Sequence, residues 1–474
     1  MRLPHRTIIT KRKIRNILIA LLLCAAGYIL LALLPYVGRL YVSAETRDDF
    51  SMDNFFGSYI IPEQVLLLDD PHDAFFHRVN IISTAEHQIF VASYSISEGA
   101  STDIFIGALL AAADRGVEVT LMTNEIIGGM PIEYRRVLTG HENINIYWFN
   151  QFELLNPQYI NSIFHDKYIT VDNRFLILGG RNIGDRFFNP KCFDGSVTLD
   201  MDVLVYNTDT NFTGVIADVN SYFLSKVNSS RTSLFTRERR SNWETQKAYY
   251  INIYKEYNAN LKIEAFDYLL NTITANQITL LTNNFEGSKK ESIVAYNLLM
   301  IAKNSQSVIA QSPYFSMTRS SIDFLGETIR NIDFTLLTNS LASTPNLPAF
   351  SNYYVNRRYI LQTTGITIYE YQCTNSSIHG KVYLFDGRLT AIGSFNLNER
   401  SMRSDTESML VIHSEEFWNV TMEVINNFMS MSLRVGADNR YIPRDDVEEA
   451  PIPQGKRTLY VAAGHLLRSF RFMF

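Results

Sequence analysis

Length and composition describe a globular protein with more than one domain. The 474 residues exceed what a single hydrophobic core usually supports. Hydrophobic residues at 46% and charged residues at 19% exclude an intrinsically disordered chain. A net charge of −5 gives no general attraction to polyanions, so nucleic acid is not an expected partner. The three cysteines show no C-x-x-C spacing, which excludes a disulfide framework and indicates no zinc site.

The first predicted element is a transmembrane helix over residues 17–37. This stretch is predominantly apolar, and about 20 such residues cross a bilayer as a helix. Residues 1–16 carry six lysines and arginines, which predicts a cytoplasmic N-terminus and an extracytoplasmic remainder. The alternative is a secretory signal peptide cleaved after Ala44, because Val42-Ser43-Ala44 has the small-residue pattern of a cleavage site. The length of the apolar stretch favours the anchor.

Beyond the anchor, one plan of elements occurs twice. In each copy a buried strand, a helix and a second strand ending in Leu-x-Thr-Asn are followed by an arginine-bearing segment and a third strand. The first copy begins at Ile89 and the second at Val308. Alternating strands and helices predict two α/β domains with largely parallel strands. We place these domains at 55–228 and 261–440.

Two segments lie outside the repeated plan. Residues 229–260 contain four arginines and several tyrosines, and we interpret them as a partly helical connection whose charges face solvent or lipid head groups. Residues 441–474 form a C-terminal tail that ends in an apolar stretch with interspersed arginines. This tail could dock on a bilayer or pack on the core as an ordinary helix.

Each repeat leads into a histidine motif with the same spacing. The first reads HDKYITVDNRFLILGGRN from His165, and the second reads HGKVYLFDGRLTAIGSFN from His379. In a strand, a spacing of two places His165 and Lys167 on one face, and the same holds for His379 and Lys381. Imidazole and ammonium would then converge on one ligand. A lone histidine in a strand is usually a core residue, but the repeated pairing with lysine points to chemistry.

The rest of each motif predicts a hairpin followed by a small-residue loop. Asp172 and Asp386 fall in the turns of these hairpins, where we expect a structural role. The loops contain Gly179-Gly180 and Gly393-Ser394, whose backbone N–H groups could approach an anion closely.

Asn182 and Asn396 follow the loops and can donate hydrogen bonds beside them. Phosphate oxygens are the natural acceptors for two lysines and two asparagines, which could stabilise a pentavalent phosphorus. No carboxylate cluster suited to two-metal catalysis stands out, so we expect neither a metal nor a cofactor.

These motifs resemble the signature of the phospholipase D superfamily, H-x-K-x4-D-x6-G-S-x-N twice per chain. The second copy matches throughout, and the first departs only at Gly180, where the family usually has serine. The resemblance spans roughly residues 60 to 440 and implies an α/β fold of two pseudo-symmetric domains, with mixed sheets flanked by helices. It implies that both histidines meet in one active site at the domain interface. It also implies that one histidine attacks phosphorus and the other acts as general acid and base. We assign the nucleophile to His165 and the acid/base role to His379.

The resemblance further implies acidic residues downstream that hold the histidines in their reactive tautomers. The candidates are Asp200 and Glu407, with Asp202 as the alternative to Asp200. Within the superfamily the chain looks most like bacterial cardiolipin synthases and related phosphatidyltransferases, through GGRNIGDRFF and IGSFNLNERS. The expected partners are therefore a phospholipid, phosphatidylglycerol above all, and the cell membrane. A glycosylation sequon at Asn375, close to His379, would be awkward in a eukaryotic secretory pathway and favours a bacterial source.

Three rival functions remain open from the sequence. A hydrolase that releases phosphatidic acid would share every residue named above and differ only in its acceptor. A nuclease would need a basic, aromatic-lined channel, which the net charge argues against. A lipid-binding protein without catalysis would not need the two intact His-x-Lys pairs.

Overall fold

The computed structural model describes residues 11–33, 40–125, 127–151, 154–156, 159, 162–236, 241–260, 266–283 and 290–468. The parts of the predicted N-terminus, anchor and tail at 1–10, 34–37 and 469–474 lie outside these ranges, as do Arg237, Arg239 and Arg240. The helices are α1 (Lys11–Leu33), α2 (Ala44–Asp48), α3 (Pro71–Ser83), α4 (Ala100–Asp114), α5 (Ile132–Leu138), α6 (Asp185–Phe188), α7 (Val215–Val227), α8 (Trp243–Asn260), α9 (Tyr268–Asn271), α10 (Ile293–Lys303), α11 (Arg319–Thr328), α12 (Leu347–Thr364), α13 (Glu399–Arg403), α14 (Glu415–Ser430) and α15 (Lys456–Leu466).

The strands belong to two large sheets and two small ones. They are β1 (Glu63–Leu68), β2 (Gln88–Ala92), β3 (Glu118–Asn124), β4 (Ile144–Phe149), β5 (Tyr168–Val171), β6 (Phe175–Gly179), β7 (Val197–Leu199), β8 (Asp202–Asn207), β9 (Thr232–Leu234), β10 (Ile273–Thr274), β11 (Gln277–Thr282), β12 (Ser307–Gln311), β13 (Phe315–Ser316), β14 (Asp333–Asn339), β15 (Thr367–Tyr371), β16 (Ser376–Ile378), β17 (Val382–Phe385), β18 (Leu389–Gly393), β19 (Leu397–Asn398), β20 (Ser408–His413) and β21 (Ser432–Arg434).

The two large sheets repeat one strand order. The first runs β10-β1-β8-β6-β5-β2-β3-β4-β9 and the second runs β11-β20-β18-β17-β12-β14-β15-β21. Apart from β10, each strand of the first sheet has a counterpart at the same place in the second. In each sheet only the three strands joined by helices, β2-β3-β4 and β12-β14-β15, pair in parallel. The predicted pair of pseudo-symmetric α/β units with mixed sheets is therefore confirmed. The expectation of largely parallel strands is wrong, because the remaining pairs of both large sheets, such as β5 with β6 and β17 with β18, are antiparallel.

Alternation along the strands explains how the two units pack together. In β2, Ile89 and Val91 face the core beneath the helices of the first unit. Phe90 and Ala92 point to the opposite face, into a second core that also contains Leu384 of the second unit. Because successive side chains of a strand point to opposite faces, each sheet buries one face under its own helices and the other against its partner unit.

The segment predicted as a connection, 229–260, packs on the first unit. Strand β9 pairs with β4 at the sheet edge, and Trp243 and Tyr254 of α8 are buried in the first core. Helix α8 lies so close to α4 that a Cβ on Gly107 would come within 2.1 Å of the Tyr250 carbonyl oxygen. Its described part is thus an integral layer of the first unit.

The described residues between helix α1 and strand β1 contact the second unit before the chain forms the first. Helix α1 is exposed, and its stretch Arg12–Ala32, with a mean hydropathy of 2.2, is the one described helix long and apolar enough to cross a membrane. A signal sequence would have the same properties. The following strap, residues 40–56, packs on the second unit through Phe55, which is 1% exposed.

The described part of the C-terminal tail packs on the second unit as well. Helix α15 lies along α12, with Tyr460 buried in the second core. A Cβ on Gly464 would lie 2.6 Å from the Ser351 carbonyl oxygen, so the two helices approach closely. Of the two alternatives for the tail, the structure supports packing on the core for residues up to 468.

Candidate active site

Both histidine motifs lie where the two units meet. The prediction that their histidines and lysines lie within strands is wrong, because β5 begins at Tyr168 and β17 at Val382, each directly after the motif lysine. The histidines instead hydrogen-bond across the unit boundary. The His379 N–H donates to the Leu199 carbonyl at 2.6 Å, and the His165 N–H donates to Thr406 Oγ1 at 3.0 Å.

Each histidine is paired with a carboxylate from the opposite unit. His165 Nδ1 lies 3.1 Å from both Oε1 and Oε2 of Glu407. His379 Nδ1 lies 2.5 Å from Oδ2 of Asp200. The two acidic candidates thus meet the histidines, but each one pairs with the histidine of the other motif rather than its own. Neither unit alone contains a complete histidine–carboxylate pair.

The crossed pairing follows from the backbone. Strands β7 and β16, one from each unit, pair in parallel from Ser376↔Val197 to Ile378↔Leu199. This small sheet brings Asp200, one residue after β7, beside His379, one residue after β16. The Thr406 N–H donates to the Ile163 carbonyl at 3.0 Å. This hydrogen bond brings Glu407, the residue after Thr406, beside His165.

Two buried ammonium groups accompany the histidines. Lys167 Nζ donates to the His165 carbonyl at 2.6 Å, and Lys381 Nζ lies 2.7 Å from His379 Nδ1. Burial lowers the pKa of Lys167 to about 8 and the pKa of Lys381 to about 7. An anionic substrate placed between them would offset the cost of burying both charges.

The two histidine–carboxylate pairs differ in their electrostatics. Burial raises the pKa of Glu407 to about 7, although the Lys167 charge opposes this rise. Burial also acts to raise the pKa of Asp200, but the charge of Lys381 and the hydrogen bond with His379 outweigh it and hold this pKa well below its usual range. Asp200 is therefore firmly ionised, whereas Glu407 titrates near neutral pH.

The pKa values of both imidazoles are well below the usual range. Burial, reinforced by the Lys381 charge, lowers the pKa of His379 to about 3. Burial and the Lys167 charge also hold the pKa of His165 well below its usual range. A negatively charged substrate between the histidines would favour their protonated forms again.

The small-residue loops do not have the anion-binding geometry that was predicted for them. Their N–H groups do not form an anion cradle, because Gly180 donates to the Met201 carbonyl and Ser394 donates to the Ser408 carbonyl. Glycine is required here by close packing. A Cβ on Gly179 would lie 2.0 Å from Oδ1 of Asp202, and a Cβ on Gly393 would lie 2.2 Å from the Ser408 carbonyl oxygen.

Asn182 and Asn396 follow these loops, as predicted from their spacing. Their side-chain oxygens are both buried and have no hydrogen-bond partner among the described residues. An amide oxygen accepts hydrogen bonds, so these unpartnered atoms fit contact with a hydroxyl group of a substrate and do not bear on the predicted donation by the amide nitrogens. This role stays a prediction.

Asp172 and Asp386 lie in the hairpin turns at φ angles of 51° and 48°. Asp172 accepts hydrogen bonds from the backbone N–H groups of Glu86, His87 and Gln88. Asp386 does the same for Gln306 and Ser307. Each aspartate caps the chain entering β2 or β12, and neither contacts a motif histidine. This geometry fits the structural role that the sequence suggested.

Several residues around the site were missed by sequence reasoning. Asn124 exchanges two hydrogen bonds of 2.8 Å with the backbone of Phe164, and Asn339 forms the matching pair with Ile378. These amides fix the chain directly before each histidine. The repeated Leu-x-Thr-Asn was the signal for them, because its asparagine stands 41 residues before His165 and 40 residues before His379.

Asp202, the alternative partner of His379, has another function in the structure. Its Oδ2 pairs with Arg78 at 2.7 Å and with Arg181 at 2.9 Å. Arg181 also donates to the carbonyls of Leu68 and Asp69. The fully buried ion pair holds the loop after Gly180 against the end of β1, so Asp202 is not free to orient a histidine.

Aromatic rings line both sides of the site. Tyr94 lies edge-on to the His165 ring at 5.3 Å, and Lys167 Nζ lies 5.1 Å from the Tyr94 ring centre. Phe187 and Tyr314 lie edge-on to His379 at 5.7 and 6.2 Å. These rings enclose the histidines, whose side chains are each 13% exposed.

A metal ion could in principle be held next to His165. Ligand atoms of His165, Asp405 and Glu407 lie within 4.8 Å of one another. However, Glu407 interacts with the charges of Lys167 and Lys290, which oppose a further cation at this position. The donor set therefore fits a metal poorly.

Comparisons with known proteins agree with this site. The family model for cardiolipin synthase, phospholipase D-like domain, matches residues 79–225 and 298–431. An uncharacterised protein of Helicobacter pylori is 27% identical over 410 residues, which cover 74% of this chain and 76% of the relative. Cardiolipin synthase C of Escherichia coli is 27% identical over 387 residues, which cover 73% of this chain and 81% of that enzyme.

Among solved structures, phosphatidylserine synthase of Haemophilus influenzae aligns with a TM-score of 0.63 at 11% identity. The alignment covers 91% of this chain and all of the other. Because the identity is only 11%, the likeness supports the fold alone. The two family matches each contain one of the histidine motifs described above. The chain therefore belongs to the cardiolipin synthase-like family of the phospholipase D superfamily, and it is an enzyme of that kind.

Proposed function

We propose that this enzyme transfers a phosphatidyl group from one phosphatidylglycerol to the hydroxyl of a second, which forms cardiolipin and releases glycerol. The observation that carries the proposal is the crossed pair of buried histidine–carboxylate contacts, His165 with Glu407 and His379 with Asp200. Two such pairs facing one space suit a reaction in which one histidine bonds to phosphorus while the other moves a proton. The cardiolipin synthases among the relatives support the choice of lipid.

In the first half-reaction, His165 Nε2 attacks phosphorus. The P–N bond forms as the P–O bond to the glycerol head group breaks, and His379 gives its proton to the leaving oxygen. In the second half-reaction, His379 removes a proton from the hydroxyl of the second phosphatidylglycerol. That oxygen attacks phosphorus, and His165 leaves as a neutral imidazole.

The difference between the carboxylates supports this assignment of roles. An acid/base histidine must carry a proton at the start, and the firmly ionised Asp200 stabilises such an imidazolium at His379. A nucleophilic histidine must present a free Nε2, and Glu407 contacts the opposite ring nitrogen, Nδ1, of His165, as Asp200 does at His379. Nε2 is thereby left available for phosphorus.

The remaining site residues would stabilise the transition state. Lys167 and Lys381 supply positive charge, and Asn182 and Asn396 supply amide donors, around the oxygens of the pentavalent phosphorus. Because these groups are held in place before the substrate arrives, little reorganisation is needed during the reaction. We therefore expect their removal to lower kcat more than it raises KM.

The proposal includes a membrane location. Helix α1 is long and apolar enough to anchor the enzyme beside its lipid substrate, with a cytoplasmic N-terminus and extracytoplasmic catalytic units in a bacterial cell membrane. Hydrolysis to phosphatidic acid is the alternative reaction of the same site. The enclosure of both histidines by aromatic rings favours transfer, because a phosphohistidine intermediate survives only where water is excluded.

The test is to incubate the detergent-solubilised enzyme with phosphatidylglycerol carrying a radiolabelled phosphate and to separate the lipid products. Cardiolipin plus glycerol supports the proposal, whereas phosphatidic acid alone makes the enzyme a hydrolase. His165→Ala and His379→Ala serve as matched variants. With an alkaline, denaturing quench, which preserves the acid-labile P–N bond, His379→Ala should retain some protein-bound label while His165→Ala retains none, and the reverse pattern would exchange the two roles.

A further inference from the structure

The first unit carries exposed apolar side chains on two loops. Ile127 follows β3 and is 45% exposed, while Leu154 and Leu155 follow β4 and are 65% and 90% exposed. We propose that these loops insert into the lipid bilayer surface as a second membrane contact beside the active site. The inference rests on the proposed function, since it supposes a substrate held in a membrane.

The register of the sheet places these loops at the edge where His165 lies. Strands β3 and β4 run in parallel and end together at Asn124↔Phe149. Asn124 at this end holds the backbone of Phe164, the residue directly before His165. Asn150, one residue after β4, donates to the carbonyls of Tyr159 and Ser162. The loop with both leucines therefore starts at the active-site edge and returns to it.

The second unit has no comparable loop. Residues 372–378 separate β15 from His379, whereas the longer stretch 150–164 separates β4 from His165. The insertion that carries Leu154 and Leu155 is therefore specific to one side of the cleft. Packing of the pseudo-symmetric fold does not require it, since the second unit forms the same sheet without it.

The strap from helix α1 reaches the same edge on the second unit. The Ser292 N–H donates to the Tyr41 carbonyl at 3.0 Å, and the Ser292 hydroxyl donates to the Met402 carbonyl at 2.6 Å. In the same region the Asn283 N–H donates to the carbonyl of Glu407, the partner of His165. The strap at Tyr41 thus contacts the second unit in the region that also holds the backbone of Glu407.

A bilayer is the occupant that fits this arrangement. The anchor would hold one side of the cleft at the membrane, and the apolar loops would meet the lipid on the other side. Apolar side chains at an interface insert into the boundary between head groups and acyl chains. Two contacts on opposite sides of the cleft would keep its opening directed at the lipid surface, so that a head group reaches the histidines while its acyl chains stay in the membrane.

A fluorescence experiment tests the contact directly. The full-length chain, with Cys24→Ser and Cys192→Ser to remove the exposed thiols, receives an environment-sensitive NBD label at Leu155→Cys and is reconstituted into phosphatidylglycerol-containing vesicles. The matched control carries the label at Tyr59→Cys, which is 83% exposed and precedes β1 at the opposite edge of the sheet. We expect blue-shifted emission and quenching by acyl-chain spin labels at position 155 only. Equal, water-like emission at both positions would overturn the proposal.

A kinetic experiment separates membrane contact from catalysis. The double variant Leu154→Asp, Leu155→Asp should raise the apparent KM for phosphatidylglycerol in vesicles by ~10-fold or more. It should leave kcat/KM unchanged on water-soluble, short-chain phosphatidylglycerol. Equal losses on both substrates, or no loss on either, would contradict the proposal. If the wild-type enzyme acts on neither lipid, the proposed function fails, while the fluorescence result still decides the membrane contact.

Discussion

The hydroxyl of Ser394 donates a hydrogen bond to Oε2 of Glu407, the carboxylate that holds His165. The first motif has Gly180 at the matching position, and there the carboxylate of Asp200 is too close for any side chain. A Cβ on Gly180 would lie 2.3 Å from Oδ1 of Asp200. Close packing against Asp200 therefore requires glycine at position 180. This requirement explains the departure from the superfamily signature, which does not mean that a hydrogen bond has been lost.

Gly180→Ser, which would restore the superfamily signature, should impair the enzyme. The new Cβ must displace Asp200, whose Oδ2 holds His379 and whose Oδ1 accepts from the Met201 N–H. Overpacking of a buried site typically costs ~1–3 kcal/mol of unfolding free energy, and here it also misplaces a histidine. We expect a lower thermal midpoint together with reduced kcat. Ser394→Gly is the matched control, because it removes a contact without creating a clash. Wild-type activity in Gly180→Ser would contradict this account.

The pH dependence of activity should have its acid limb near pH 7. Burial raises the pKa of Glu407 to about 7, so lowering the pH through this value neutralises the partner of His165. On the alkaline side, Lys381 with a pKa of about 7 and Lys167 with a pKa of about 8 lose their charges as the pH rises. Deprotonation of Glu407 therefore raises the activity as the pH rises, and deprotonation of Lys381 and Lys167 lowers it. The rate profile should have a narrow maximum.

Glu407→Gln isolates the acid limb. Glutamine keeps a hydrogen bond to His165 but has no charge to lose, so residual activity should no longer fall as the pH drops through 7. Replacing an orienting carboxylate by its amide can reduce kcat by up to ~10⁴-fold, because the histidine adopts the wrong tautomer. Rates are measured from pH 5 to 9 with short-chain lipid. An unchanged acid limb in this variant would assign that limb to another group.

Arg181→Met should destabilise the fold more than a surface change would. Arg181 and Asp202 form an ion pair in which both side chains are 0% exposed, and Arg181 also satisfies two backbone carbonyls. Removing one member of a buried pair typically costs ~3–5 kcal/mol, since the other charge stays buried. Arg78 also pairs with Asp202, so the loss should fall at the lower end of this range. Denaturant unfolding measures it, and a change below ~1 kcal/mol would contradict the structural role.

Asp172→Ala should separate stability from catalysis. The carboxylate accepts three backbone N–H groups at the start of β2, and its loss leaves those donors to water. We expect a cost of ~1–3 kcal/mol in unfolding free energy. Because Asp172 does not contact His165, kcat per folded molecule should stay near the wild-type value. Asp386→Ala is the matched variant in the second motif and should behave alike. A specific loss of kcat in either variant would assign these aspartates a catalytic role.

The sequence was sufficient for elements whose pattern is local. The repeated order of strands and helices predicted two matching units, because periodicity and motif spacing act within one segment of chain. The hairpin turns at Asp172 and Asp386 were predictable for the same reason. The candidate acids Asp200 and Glu407, which the family resemblance implied, lie beside the histidines, and their orienting role stays a prediction.

Features that depend on the meeting of the two units were not predictable. The crossed pairing of Asp200 with His379 depends on strands β7 and β16, which are short and come from different units. No spacing rule links residues almost 180 positions apart. The glycine loops were misinterpreted because a close approach of backbone to Asp202 or Ser408 leaves the same sequence pattern as an anion cradle. Residues 229–260 were interpreted as a linker because they are polar. They are polar because α8 buries only one of its faces.

Lys290 should influence His165 without contacting it. Its Nζ donates to the Ser401 carbonyl at 2.7 Å, and burial lowers the pKa of Lys290 to about 8 although Asp405 and Glu407 oppose this shift. The Lys290 charge in turn acts to lower the pKa of Glu407. Lys290→Met should therefore raise the pKa of Glu407 further and move the acid limb of the rate profile to higher pH.

The conservative variant distinguishes this effect from simple loss of structure. Lys290→Arg keeps the positive charge, so its acid limb should stay near the wild-type position even if its thermal midpoint falls. Lys290→Met should shift that limb by about one pH unit, which corresponds to ~1.4 kcal/mol between the two protonation states of Glu407. Rate profiles on short-chain phosphatidylglycerol measure both variants. If both lose activity equally at every pH, Lys290 supports the packing of α13 alone and does not tune the carboxylate that holds His165.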